Sequence, residues 1–222
     1  MSVGLPTTRP TTAGRPPRPT RRRLGGAESN TRLTASVAAL LLVLLAAEGF
    51  TVVRVGRLLT VHVFIGMLLV PPVLVKMAST LWRFGQYYRG SPDYRRKGPP
   101  PPLLRILGPV VIVTTSVVFA TGIALLLGPP SIRTEMLRLH QVSFVLWFAV
   151  MTVHVLGHVG ETARVAPLDW MRRTRRQVDG AGARQWVLAL SLVVGLVLAI
   201  AVVPQVGPWL HGGRHAVESL RR

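Results

Sequence analysis

Hydrophobic residues in this chain fall into five long blocks that are almost free of charge, and the charged residues lie between them. The blocks cover about 33–53, 58–82, 106–127, 139–160 and 186–203. Each is close to or above the roughly 18 apolar residues that a helix needs to cross a bilayer core of about 30 Å. The pattern predicts an all-α, polytopic membrane protein with five transmembrane helices.

The segments outside these blocks are short and polar, so we expect no separate soluble domain. Residues 1–31 are rich in Arg, Pro and Thr, and we expect a disordered basic tail because they cannot bury enough apolar surface. The transmembrane domain is predicted over 32–205, with a short tail over 206–222. Residues 85–102 include four consecutive prolines, and we interpret them as a stiff, solvated connector rather than a docking surface.

Basic residues are distributed unevenly among the connections. The connections after the second and fourth blocks are rich in Lys and Arg, whereas those after the first and third carry far fewer. Because positively charged loops stay in the cytoplasm, we expect a multi-pass protein of the cell membrane with its N-terminus cytoplasmic. Five spans then place the C-terminus outside.

The net charge of +19 raises the question of nucleic acid as a partner. The charge lies between hydrophobic blocks and not along a folded face with a readable motif, so the lipid bilayer is the expected partner and nucleic acid is not. The chain has no cysteine. That excludes disulfides, iron–sulfur clusters, thiolate zinc sites and covalent c-type haem. We also find no hydrolase or transferase motif.

Ionisable side chains inside the predicted spans are the candidate functional groups, because such groups are costly in a bilayer and usually face a partner or cofactor. His140 and His154 stand 14 residues apart on the fourth span, nearly on one face and about 21 Å apart along the axis. On the second span, His62 lies at a depth matching His140, and Lys76 follows it by 14 residues. His158 lies one turn beyond His154, as an alternative ligand or a partner-facing group.

Two neutral imidazoles on facing helices can supply both axial ligands of a haem iron. Gly66, one turn after His62, would leave room for a flat macrocycle, although glycine is also common where membrane helices pack closely. A neutral Lys76 amine could coordinate a metal, or the side chain could snorkel to the surface. Alternatively, the histidines serve interhelical hydrogen bonds or a proton relay, or His154 and His158 clamp one metal ion.

Arg57 and Arg138 precede His62 and His140, where haem propionates would emerge. Arginine pairs well with carboxylates, and both residues are equally suited to anchoring the helices at the membrane interface. Glu48, near the outer end of the first span, could pair with either of these arginines.

Two further histidines, His211 and His215, follow the fifth span. They could flank a haem edge, a quinone or a metal ion, although exposed histidines in a tail usually have no specific role.

Two helices that each carry two candidate ligands about four turns apart resemble the cytochrome b family of membrane-bound b-type cytochromes. The resemblance covers about 32–160 and rests on VHVFIGMLLVPPVLVK and LHQVSFVLWFAVMTVHVLGH, which contain His62, His140 and His154. It departs from the family at Lys76, where the family has a fourth histidine. The resemblance implies a four-helix haem-binding bundle as the core of the fold.

The resemblance also implies an electron-transfer subunit rather than a complete enzyme. It implies one haem b between His62 and His140, leaves a second haem at His154 open, and suggests quinone and a redox protein as partners. The alternative is a non-redox membrane protein, either a transporter-like module or an assembly anchor. Transporters often carry broken helices at corresponding positions, but the helix break expected at Pro71-Pro72 has no counterpart in another span.

Overall fold

The computed structural model describes residues 26–96, 102–167 and 180–209, and all regular structure in these residues is helical. The helices are α1 (Ala27–Val53), α2 (Val55–Tyr88), α3 (Pro92–Arg96), α4 (Pro102–Leu127), α5 (Arg133–Val165) and α6 (Ala181–Val202), with 3₁₀ turns at Pro130–Ile132 and Val203–Val206.

Five of these helices, α1, α2, α4, α5 and α6, are long and apolar enough to cross a membrane. The predicted all-α fold with five such helices is confirmed. The outward faces are apolar as well: on α5, Val142, Leu146 and Leu156 are all exposed. Large exposed apolar surfaces on a helical chain suit contact with lipid, where the helix also satisfies its own backbone hydrogen bonds.

Helix α1 begins earlier than the sequence predicts. Residues 27–31 are helical and not part of a disordered tail, while residues 1–25 lie outside the described part of the chain. The Thr31 hydroxyl donates to the Ala27 carbonyl at 2.9 Å, and the Asn30 amide donates to the Ser79 carbonyl of α2 at 3.1 Å. These contacts extend α1 and fasten its first turns to α2.

The segment between α2 and α4 is more ordered than a solvated connector. Helix α2 continues to Tyr88, and Gly90 adopts a left-handed backbone with φ +82° that turns the chain into α3. Only glycine adopts this conformation without strain. Tyr94 of α3 is buried, so this short helix is held by packing. Residues 97–101 of the segment lie outside the described residues.

The expected helix break at Pro71-Pro72 is wrong, because α2 continues through both prolines. The non-helical backbone inside α2 lies instead at Leu58, with φ −115° and ψ 22°. A proline removes one helical hydrogen bond, but here the surrounding side chains hold the helix. Leu69 and Val73 flank the prolines and form a buried cluster with residues of α1.

The helices pack around a central space. Close packing joins α1 to α2, α4 to α5, α2 to α6 and α1 to α5. Among the described residues, α2 and α5 are not one of the closely packed pairs. The two helices that carry the histidines are therefore separated, and side chains of α1 and α4 close the space between them.

Gly195 sets the distance between α6 and α2. A Cβ atom at this position would overlap the Leu68 carbonyl oxygen of α2. Backbone atoms cannot give way as a flexible side chain can, so a larger residue would push the two helices apart. Small residues allow this kind of approach in membrane helix pairs.

We expect Gly195→Ala to destabilise the protein by about 1–3 kcal/mol, the usual cost of overpacking. Thermal unfolding in detergent, followed by circular dichroism, measures the change. Gly182→Ala is the matched control, because it lies on the same helix and a Cβ there meets nothing within 4 Å. Equal unfolding midpoints for the two variants would contradict the close helix contact.

Candidate functional site

A cavity of about 360 Å³ lies between α1, α2, α4 and α5. Its volume is within the range of roughly 300–1,000 Å³ typical of ligand sites. The wall between its ends is largely apolar, with Leu41, Phe119, Phe144 and Met151 among the lining residues. Ionisable groups gather at the two ends, which we call the His62 end (Glu48, His62, His140) and the Lys76 end (Lys76, His154, His158).

At the His62 end, two histidines from separate helices come close together. The ring centres of His62 on α2 and His140 on α5 are 6.5 Å apart, and the ring planes make an angle of 70°. The sequence analysis placed these residues at one depth on facing helices, and the structure brings them together there.

Helix α1 determines how the His62 ring is oriented. Its Nδ1 atom lies 2.8 Å from Glu48 Oε1 and 3.2 Å from the Thr51 hydroxyl. A carboxylate only accepts hydrogen bonds, so Nδ1 carries the ring proton and donates to Glu48. If the His62 ring is neutral, its Nε2 atom then keeps a lone pair. The expectation that Glu48 pairs with Arg57 or Arg138 is wrong, because its partner is His62.

Helix α4 does the same for His140. The Nδ1 atom of His140 lies 3.1 Å from the Val118 carbonyl oxygen and 3.0 Å from the Thr121 hydroxyl. A carbonyl can only accept, so Nδ1 again carries a proton, and in the neutral ring Nε2 keeps a lone pair. Gly122 makes room for this ring, since a Cβ there would lie 3.2 Å from His140 Cε1.

A further contact between α4 and α5 lies on the side of His140 that faces the Lys76 end. The Trp147 indole N–H donates to the Thr115 hydroxyl at 2.9 Å. Both residues line the cavity. This hydrogen bond holds α5 against α4 one to two turns from His140, and so supports the position of the histidine.

The arrangement at the His62 end suits a metal bound by two imidazoles. Two rings that bind one metal in line, with metal–nitrogen distances of about 2.0–2.1 Å, have their centres roughly 6 Å apart. The measured separation of 6.5 Å is near this value. Among the described residues no group of three or more His, Cys, Asp or Glu side chains could hold a bare ion. A haem takes only axial ligands from the protein, and two imidazoles on separate helices are a donor set of that kind.

The Lys76 end is built differently. Lys76 Nζ donates to the Thr34 carbonyl of α1 at 3.1 Å, so the amine is tied to the neighbouring helix. His154 and His158 have ring centres 4.8 Å apart, and His154 Nδ1 is buried without a hydrogen-bond partner. His158 Nδ1 lies 3.9 Å from a Glu161 carboxylate oxygen. The three groups line one cavity end, but His154 and His158 stand side by side on one helix.

The remaining candidates lie around the His62 end. Gly66 lines the cavity, and a Cβ on it would be 3.4 Å from Glu48 Oε1, so its space accommodates the carboxylate. Arg138 forms an exposed ion pair with Glu135 at 3.6 Å, and Arg57 is exposed. Both arginines thus have the exposure of interface anchors, and their predicted contact with propionates stays a prediction.

Sequence reasoning missed the residues that orient the two histidines, namely Thr51, Thr121 and Gly122. Hydroxyl residues and glycines are too frequent in membrane helices to be singled out without knowing which side chain they meet. His211 and His215 lie outside the described residues.

Comparison with protein-family models, with curated proteins and with solved structures finds no match to this chain. The assignment of a function therefore rests on the geometry of the side chains.

We expect the neutral rings of His62 and His140 to be Nδ1–H tautomers in the protein without added cofactor, since each Nδ1 faces an acceptor. Nitrogen-15 NMR of histidine-labelled protein in detergent at mildly alkaline pH distinguishes the two ring nitrogens. His62→Gln and His140→Gln variants assign the signals. An Nε2–H tautomer at either residue would contradict the hydrogen-bond assignment.

Proposed function

We propose that this protein is a membrane b-type cytochrome subunit that carries electrons through one haem b ligated by His62 and His140. One observation carries the proposal. Two imidazoles from separate helices have ring centres 6.5 Å apart beside an apolar cavity, and each directs its Nδ1 to an acceptor, so that Nε2 is the nitrogen left for a metal.

When bound, haem supplies a one-electron couple between ferrous and ferric iron. The chain's own residues determine what that couple can be used for. His62 and His140 would be the two protein ligands of the iron, and haem held in this way would supply electron transfer rather than binding of oxygen or a substrate. The apolar wall, including Phe119 and Phe144, excludes water and limits reorganisation around the site. Both features suit an electron carrier rather than a complete enzyme, with quinone and a redox protein as its partners.

A single haem suits the two cavity ends better than a pair of haems. A second haem at His154 would need a ligand across the cavity, and Lys76 stands on the facing helix α2. The Lys76 amine, however, already donates to the Thr34 carbonyl. His158 lies beside His154 on α5 and not opposite it. The Lys76 end therefore offers no second pair of imidazoles on facing helices.

The orientation of the chain in the membrane follows from its charge. Basic residues concentrate in the connections after α2 and α5, and we place these connections in the cytoplasm of a cell-membrane protein. The His62 end then lies towards the outer surface. A haem held there would exchange electrons with a partner on that side.

A second candidate is a non-redox membrane protein whose histidines serve helix packing. It is favoured by the hydrogen bonds that His62 and His140 make to α1 and α4, since such interhelical bonds are worth about 1 kcal/mol. The two proposals predict different absorption spectra of the purified protein, because only the cytochrome absorbs in the visible range.

We expect the purified protein to show a Soret band, and a sharpened α-band after reduction with dithionite. His62→Ala and His140→Ala should each remove these bands, because either change leaves the iron with one axial ligand. Thr152→Ala, at an exposed position of α5, is the control and should keep them. Colourless wild-type protein from haem-supplemented cells would reject the cytochrome and favour the packing role.

The space beside His140 gives an independent check. Gly122→Leu should displace the His140 ring and reduce bound haem by at least about tenfold, equivalent to the loss of about 1.4 kcal/mol of binding energy. Gly108→Leu on the same helix, where a Cβ meets nothing within 4 Å, should leave haem content unchanged. The haem-to-protein ratio of folded, monodisperse fractions measures both. Full haem in Gly122→Leu would argue against His140 as a ligand.

A further inference from the structure

The two histidines at the His62 end have chemically different partners. His62 Nδ1 faces the Glu48 carboxylate at 2.8 Å, whereas His140 Nδ1 faces a backbone carbonyl and a hydroxyl, both neutral. The side chains of Glu48 and His62 are only 14% and 21% exposed. The pair thus lies in a poorly hydrated setting, where a charged hydrogen bond is strong.

The surrounding residues hold the carboxylate in this position. The Thr51 hydroxyl lies 3.1 Å from Glu48 Oε2, and Glu48 Oε1 packs against Gly66, where a Cβ atom would lie 3.4 Å from it. Arg138, one of the two arginines considered as partners of Glu48, pairs with Glu135 instead. The negative charge of Glu48 is therefore directed at the His62 ring.

A carboxylate that accepts the Nδ1 proton of a metal-bound histidine fixes the ring and makes its other nitrogen a stronger donor. A nitrogen that donates its electron pair more strongly to the iron stabilises ferric iron more than ferrous iron. The negative charge of the carboxylate, on the other side of the imidazole ring, acts in the same direction. The neutral partners of His140 lack this charge. A neutral acceptor would be enough to hold the His62 ring for packing, as it is for His140. The charge of Glu48 therefore points to a further role.

We propose that Glu48 is a positioning residue that lowers the reduction potential of the bound haem by accepting the Nδ1 proton of His62. This inference rests on the proposed function, since it concerns the same haem. It adds a determinant on α1, a helix that supplies no ligand. The partner of His62 would then influence the reduction potential of the haem more than the partners of His140 do.

The test is a potentiometric titration of the haem-loaded protein. Glu48→Gln keeps the size of the side chain and an acceptor oxygen but removes the charge, so we expect bound haem with a midpoint potential shifted upward. Thr121→Val is the matched variant at the other ligand. It leaves His140 the Val118 carbonyl as an acceptor, so its shift should be clearly smaller. A Glu48→Gln potential equal to that of wild type, or a larger shift in Thr121→Val, would overturn the inference.

A measurement without haem separates this inference from the proposed function. In labelled wild-type protein, proton NMR should find the His62 Nδ1 proton far downfield, as expected of a hydrogen bond to a carboxylate, and Glu48→Gln should move it upfield. An unmoved signal overturns the role of Glu48 even if Glu48→Gln loses its haem. Failure of the wild type to bind haem rejects the cytochrome, and with it this role for Glu48.

Discussion

Burying a histidine inside an apolar helix bundle is costly unless its ring nitrogens find hydrogen-bond partners. His62 and His140 satisfy one nitrogen each within the protein, through Glu48 and through the Val118 carbonyl. Both partnered nitrogens are Nδ1, and both rings border the same cavity. Under the proposed function, the Nε2 atoms of these two rings would be the ligands of one haem iron.

The rest of the helical arrangement serves that geometry. Helices α1 and α4 each contact one histidine and close the space between α2 and α5, while Gly122 lets the His140 ring lie against α4. On the far side of α2, Gly195 lets α6 pack closely against the Leu68 carbonyl. Rigid helices on both sides of α2 hold His62 where α5 presents His140.

The Lys76 end shows how a similar spacing along the chain can lead to different chemistry. Lys76 follows His62 by as many residues as His154 follows His140. The contact with the Thr34 carbonyl nevertheless gives the amine a structural partner, and His154 keeps a buried, unpartnered Nδ1. Equal spacing along two helices predicts equal depth, but it does not predict which groups have a free lone pair.

The sequence by itself determined the helical class, the five membrane-spanning lengths and the shared depth of His62 and His140, because these follow from hydrophobic blocks and a regular rise per residue. It did not determine where helix ends fall: Asn30 lengthens α1 through a contact with α2, and α2 passes through Pro71 and Pro72. The partner of Glu48 and the contacts of Thr121 and Gly122 were decided only in the tertiary structure. They depend on the rotation and separation of neighbouring helices, which periodicity within one helix does not contain.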